Sequence, residues 1–273
     1  MQYVEAHRAR IPIVGFGSMR LKEDTGREAI LSAIRNGYRH IDTAAFYGNE
    51  KEVGDAIKAS GVKREDIFLT TKVRDNNLKA DDFARSLDNS LKLLDLPQVD
   101  LLLIHWPNPQ VPHAESIGAL NKAKRDGLTK HIGVCNYTVA LLKEAQAATK
   151  EPLVTNQIEV HPFLDQTKVI EASRGYGMAI TAYCPIARGR VPGDPVLERI
   201  GKAHGKTASQ VSLRWLVQRG IIVIPGSGKP DRQKENLDVL DFSLSPAEMN
   251  EIATLKKPDG RVVNPSQAPK WDV

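Results

Sequence analysis

The sequence predicts a single-domain α/β protein, a closed (β/α)8 TIM barrel spanning residues 1–273. Three observations point there. Short β-rich runs alternate with helical patterns eight times, and many of the runs are almost continuously apolar, as strands covered on both faces are. No linker, low-complexity tract or charge block divides the chain. An open doubly wound sheet shares the alternation and is the competing architecture. The barrel makes the sharper demand, because its functional side chains must gather at or just after the C-terminal ends of the strands.

Candidate strands cover residues 11–17, 38–42, 67–73, 99–106, 131–135, 154–159, 178–184 and 221–225. The first helical pattern runs from about 25 to 36, with Asp24 placed to cap it. The second begins near Asn49 and ends before Gly61, a residue suited to closing a helix. Further helices are expected near 79–94, 114–126, 139–148, 166–174, 207–219 and 229–239. A last one, within 243–257, has Ser245 as its cap and Pro246 at the first helical position.

Composition narrows the function. The 273 residues are 41% hydrophobic and 26% charged, with a net charge of +5. Basic and acidic residues are interspersed, so nucleic acid is a poor partner. The excess suits an anionic cofactor or substrate. No run approaches the roughly 20 apolar residues that cross a bilayer, and MQYVEAHRAR carries charge where a secretion signal is apolar. Cys135 and Cys184 form neither a disulfide framework nor a metal motif. A cytoplasmic protein without a metal centre is expected.

Four polar residues answer the barrel's demand. Asp42 closes the second candidate strand and Tyr47 follows it; Lys72 ends the third, and His105 the fourth. Alone, such an Asp caps a helix, such a Lys snorkels to solvent and such a His is a satisfied structural residue. Together on one rim they suit carbonyl reduction. Hydride transfer to a carbonyl leaves an alkoxide that needs a proton. A tyrosine with its usual pKa near 10 is a weak donor unless a neighbouring ammonium stabilises its phenolate. This assigns Tyr47 as acid, Lys72 as the group lowering its pKa, Asp42 as the residue orienting Lys72, and His105 as the director of the carbonyl oxygen.

In this order these residues resemble the tetrad of the aldo-keto reductases. GYRHIDTAAFYGNEKEVGDAI is similar to that family's first signature, and VDLLLIHWP, GVCNYT, TNQIEVHP, TAYCPIARG and VIPGSG follow in family order. The resemblance covers essentially the whole chain and is nearest to short prokaryotic members, among them 2,5-diketo-D-gluconate reductases. It implies NADPH-dependent reduction of small aldehydes and ketones, with keto-sugar acids and methylglyoxal as candidate substrates. It also implies a cofactor site. Asn136 and Gln157, beside Cys135, would hold the nicotinamide carboxamide, and Tyr183 would stack on the ring. Cys184, Pro185, Ile186 and Arg188 would border the pyrophosphate. Ser227, Lys229 and Arg232 would hold the 2′-phosphate, and Glu235 and Asn236 would contact adenine. Gly15-Phe16-Gly17 is no dinucleotide fingerprint, because Arg20 stands where a third glycine belongs and no helix starts at once.

The sequence departs from that family at three places. Gly226 replaces a common lysine, removing one cation near the 2′-phosphate, while Lys229 and Arg232 still favour NADPH over NADH. Cys135 replaces a common serine, and a thiol is the poorer hydrogen-bonding group. Arg74 stands where tryptophan is frequent, and Gly17-Ser18-Met19 where a tryptophan motif is. The substrate pocket is therefore expected among Met19, Tyr47, Arg74, His105, Trp106 and Trp271, less aromatic and positively charged at its mouth. Two other readings compete: a nicotinamide-binding regulatory subunit, and a Schiff-base enzyme using Lys72. A monomer is expected.

Overall fold

A computed structural model describes residues 1–272. Eight parallel strands form one sheet: β3 (Phe16–Gly17), β4 (His40–Asp42), β5 (Phe68–Val73), β6 (Val99–Ile104), β7 (Thr129–Cys135), β8 (Leu153–Glu159), β9 (Ala179–Tyr183) and β10 (Ile222–Val223), each paired with its neighbour in chain order. The ends meet as well. Val14 bridges Val223, Gly15 N donates to Val223 O at 2.8 Å, and Gly17 N donates to Pro225 O at 3.1 Å. The sheet is thus a closed barrel, as the sequence predicts.

Around it run α1 (Glu23–Arg35), α2 (Glu50–Ser60), α3 (Ala80–Leu94), α4 (His113–Arg125), α5 (Val139–Ala148), α6 (Thr167–Gly175), α7 (Pro195–His204), α8 (Ala208–Gln218), α9 (Pro230–Leu237) and α10 (Pro246–Ala253). Strand alternation sorts the core. In β6, Leu102 and Ile104 join the shell packed against the helices, while Leu101 and Leu103 join an inner cluster with Val154, Ala179 and Ile222. Gly61 closes α2 in the left-handed region at φ 71°, and Ser245 caps α10 in a reciprocal box with Glu248, both as expected.

Three expectations are corrected. Residues 11–17 are not one strand: Ile11 and Pro12 end a hairpin of β1 (Tyr3–Ala6) and β2 (Ala9–Pro12), Val14 and Gly15 meet Val223 across the closing seam, and Phe16 and Gly17 pair with β4. Pro12 has no N–H with which to extend a ladder. The hairpin turns at His7 and Arg8, both at positive φ (44° and 71°), and carries Ala6, Ala9 and Ile11 into the inner cluster. Asp24 does not cap α1. Lys22 holds the cap position without a side-chain hydrogen bond, and Asp24 lies inside the first turn, where its charge favours the helix dipole. Finally, α7 is an unanticipated helix inserted before α8. Asp194 accepts from Val196 N and Leu197 N, Pro195 opens the helix and Gly205 closes it, all local signals present in the sequence.

Candidate active site

The barrel register brings the four polar residues together. Asp42 is the last residue of β4, Lys72 lies one before the end of β5, and His105 follows β6 directly. Tyr47 sits in a short 3-10 turn after β4. Lys72 is fully buried, and its ammonium donates to Asp42 Oδ1 at 2.5 Å, Thr43 O at 2.9 Å and Tyr47 Oη at 3.5 Å. All three ammonium protons are thereby used. Because the tyrosine oxygen accepts from Lys72, its own proton is left for another acceptor.

Burial alone would push the Lys72 pKa down, but Asp42 and Tyr47 raise it above its ordinary value. The amine stays an ammonium and is a poor Schiff-base nucleophile. Asp42 is saturated too, since Gln157 Nε2 donates to its Oδ2 at 2.7 Å. One expectation reverses here. Burial pushes Tyr47 up to about 12, outweighing the nearby Lys72 ammonium, which acts downward. The lysine limits the rise instead of producing a fall.

His105 is buried, its pKa held well below the usual imidazole value by burial and by the charges of Lys72 and Arg74. It is therefore neutral. Its Nδ1 is enclosed with no hydrogen-bond partner. An enclosed unpaired N–H costs more than an enclosed lone pair, so the proton belongs on Nε2 and Nδ1 is the bare nitrogen. The ring stands edge-on to Tyr47, 5.7 Å between centroids, and the Nε2–H and the Tyr47 hydroxyl form a pair of donors suited to one carbonyl oxygen.

Asn136 follows β7 at φ 64°, its Nδ2 donating to His105 O at 3.0 Å and its Oδ1 accepting from Tyr183 Oη at 2.7 Å. Tyr183 ends β9. Gln157 spends one amide hydrogen on Asp42, and its Oε1 accepts from the Cys135 thiol at 4.0 Å. Cys135 is buried, and burial raises its thiol pKa, so it is a neutral wall. Asn136, Gln157, Tyr183 and the tetrad are thus one connected network. A planar carboxamide fits this site, because Gln157 Oε1, which holds only a long contact from the Cys135 thiol, can also accept from it.

The turn after β9 holds Cys184, Ala187 and Arg188 at positive φ, and Pro185 O is tied to α8 by the Ser212 hydroxyl at 2.7 Å. Ile186 lies within this turn, partly buried against the core. After β10, Ser227 Oγ accepts from Lys229 N at 3.1 Å ahead of α9, and Lys229 and Arg232 are exposed. Asn236 is buried on α9, whereas Glu235 turns towards α8 and accepts from the Thr207 hydroxyl at 2.7 Å. An exposed pair of cations beside the first turn of α9 fits a phosphate.

Among the substrate-pocket candidates, Trp106 and Trp271 meet edge to face at 6.0 Å. Met19 is exposed on the loop after β3. The Arg74 guanidinium lies 4.5 Å over the Phe46 ring and 3.7 Å from Asp75, with its side chain 46% exposed. It also lines a hollow of about 360 Å³ with Phe46, Asn76, Asn77, Ser86 and Asn89. Among the described residues no His, Cys, Asp and Glu cluster has metal-holding geometry, and no helix is long and apolar enough to cross a membrane.

Two supports were not anticipated from the sequence. Asn49 donates from Nδ2 to Ser18 O and Leu21 O, both at 2.8 Å, and accepts from the Thr43 hydroxyl at 2.7 Å. It ties the Tyr47 turn to the loop after β3. Glu159, at the end of β8, accepts from Val262 N at 2.6 Å, Val263 N at 2.8 Å and His161 Nε2 at 2.9 Å. It thereby fixes the C-terminal segment that carries Trp271. An Asn before a helix reads only as a helix start, and no local pattern announces the Glu159 latch.

Comparison with known proteins agrees with this fold. A profile of the aldo/keto reductase family matches residues 13–257. The chain is 42% identical to methylglyoxal reductase DkgB of Yersinia pestis over 265 residues, covering 96% of this chain and 99% of that protein. Its structure is similar to one assigned as a 2,5-diketo-D-gluconic acid reductase B, with TM-score 0.96 and 46% identity, covering 100% and 98% of the two chains. It is also similar to the aldose reductase of Schistosoma japonicum, with TM-score 0.90 and 31% identity, covering 95% and 94%.

Proposed function

The chain belongs to the aldo/keto reductase family and is an oxidoreductase acting on carbonyl groups; from that premise we propose that it reduces small aldehydes and ketones with NADPH, Tyr47 supplying the proton. The observation that carries this reading is the saturated Lys72 ammonium, which leaves the Tyr47 proton free beside the neutral His105. A reduced nicotinamide supplies the hydride when bound. Asn136 and Gln157 would grip its carboxamide, Tyr183 would back its ring, Cys184, Pro185, Ile186 and Arg188 would border the pyrophosphate, and Ser227, Lys229 and Arg232 would hold the 2′-phosphate.

The chain's own residues divide the remaining work. His105 Nε2–H and the Tyr47 hydroxyl hold the carbonyl oxygen. Tyr47 passes its proton to that oxygen as negative charge develops, and the resulting phenolate is paid for by the Lys72 ammonium, held in turn by Asp42 and Gln157. Asn236 would reach the adenine, and Glu235 would do so through Oε2, since its Oε1 holds the Thr207 hydroxyl. Arg74 gives the mouth of the pocket a cation, which favours acidic carbonyl substrates. The protein acts as a single-domain cytoplasmic monomer in this reading.

The test follows NADPH and NADH oxidation with methylglyoxal, a nitrobenzaldehyde and a diketo-sugar acid. Turnover is expected with NADPH ahead of NADH and is lost in Tyr47→Phe; Arg74→Trp is expected to shift preference from the acid towards the neutral substrates. No turnover with NADPH binding retained would replace this reading with the regulatory-subunit one.

A further inference from the structure

Asn49 occupies the N-cap of α2, yet its side chain accepts from none of the helix's first amides. Asparagine is among the best capping residues, so a cap side chain turned away from its own helix serves something else. Here it is fully buried, with both amide hydrogens and the oxygen engaged. Nδ2 donates to Ser18 O and Leu21 O, both at 2.8 Å, and Oδ1 accepts from the Thr43 hydroxyl at 2.7 Å.

These bonds close a loop around the acid. Tyr47 lies in the chain from Thr43 to Asn49, and the Thr43–Asn49 bond joins the two ends of that stretch. Thr43 is pinned through every polar group. Its N–H donates to Thr70 O at 2.9 Å, its carbonyl accepts from Lys72 Nζ at 2.9 Å, and its hydroxyl holds Asn49. Ser18 grips the same ends: its N–H and hydroxyl both donate to Asp42 O at 2.9 Å, while its carbonyl accepts from Asn49. Between the ends the turn is less secure. Phe46 and Gly48 are exposed, Gly48 sits at φ 64°, and Gly48 N reaches Ala45 O only at 3.3 Å. A loop tied at its ends has fewer conformations open to it than a free one. Placement matters here, because Tyr47 Oη stands 3.5 Å from Lys72 Nζ, at the limit of a hydrogen bond. A small outward shift of the turn would sever that contact.

We propose that Thr43 and Asn49 form a clasp that positions Tyr47, holding its hydroxyl against the Lys72 ammonium. Both are positioning residues: neither touches the reacting atoms, and each acts through the loop that carries the acid. The inference rests on the reductase reading and adds to it the device that places its proton donor. With the clasp cut, the exposed turn carries Tyr47 away from Lys72, and proton delivery slows. The cost falls on the chemical step, since the residues assigned to NADPH lie on other strands and turns.

The experiment measures the single-turnover rate of NADPH oxidation at saturating nitrobenzaldehyde in the wild type, Thr43→Val and Thr43→Ser. Valine keeps the shape of threonine and the carbonyl that accepts from Lys72, and it leaves Asn49 on Ser18 and Leu21; only the clasp is cut. Serine keeps the hydroxyl and loses the methyl. The expected result is a rate about 10- to 100-fold lower in Thr43→Val, the size of effect that a misplaced catalytic group produces. NADPH binding by fluorescence titration is expected to hold, and Thr43→Ser to recover most of the rate. A packing role for Thr43 predicts the opposite order, so a serine variant as slow as the valine one, or slower, overturns the proposal. An unchanged rate in Thr43→Val overturns it as well, and so does a loss accompanied by weaker NADPH binding. If the valine variant does not fold, Asn49→Ser is read instead. Serine caps a helix as well as asparagine does but is too short to hold Thr43 and the loop after β3 together. A slow single turnover then supports the clasp, and a wild-type rate returns Asn49 to helix capping and ends the proposal. Absence of wild-type turnover with every carbonyl would sink the reductase reading and the clasp's role with it.

Discussion

Lys72 donates to three acceptors at once, and that one ammonium organises the chemistry of the site. The direction of the Tyr47 shift follows from competition: burial disfavours the phenolate more than a single ammonium favours it, so the group is pushed up to about 12. A general acid works while protonated and fails as pH rises through its pKa. Reduction is therefore expected to show a level kcat/KM from about pH 6 to about pH 9 in a pH-rate profile. His105, held neutral, adds no inflection near its ordinary pKa. A fall centred near pH 8 would mean that Tyr47 titrates far below its buried value and would overturn this account. The rim cluster was legible in the sequence because Asp42, Lys72 and His105 fell at strand ends and Tyr47 in the loop after one of them. The sign of the tyrosine shift was not, because burial is a property of the assembled rim.

Between elements, the tightest joint is where the end of β3 meets the chain leaving β10. A Cβ on Gly226 would lie 2.3 Å from Gly17 O, and one on Gly17 would lie 2.7 Å from Ile224 O. The sequence presents Gly226 as a missing cation, but in this structure its backbone lies so close to Gly17 that a Cβ has no room unless the joint shifts. Gly226→Lys is accordingly expected to lower unfolding free energy by about 1–3 kcal/mol, the usual cost of overpacking. It is not expected to tighten NADPH binding. Urea denaturation and a fluorescence titration check this, and tighter NADPH binding at unchanged stability would refute it. The helix α7 shows the opposite kind of miss. Asp194, Pro195 and Gly205 spell its ends locally, but a helix outside the strand–helix alternation is hidden by the pattern it interrupts.

Across the whole molecule, a barrel has two ends with different demands. The C-terminal rim is polar and holds the site. The hairpin of β1 and β2 seals the interior with Ala6, Ala9 and Ile11 packed in the cluster that includes Leu101, Leu103 and Ile222. Ile11 is fully buried, so Ile11→Ala is expected to cost about 2–5 kcal/mol in urea unfolding. A loss below about 0.5 kcal/mol, the usual size of a surface effect, would mean that the hairpin merely rests on the barrel. By itself the sequence determined the alternation of strands and helices, the closed architecture and the identity of the four rim residues, because strand burial and helix ends are written in local composition and spacing. Tertiary structure alone decided that Tyr47 is raised, that Gln157 clamps Asp42 and that Glu159 latches the C-terminal segment. Each of those depends on groups far apart in the chain sharing one low-dielectric space, and no local pattern carries that information.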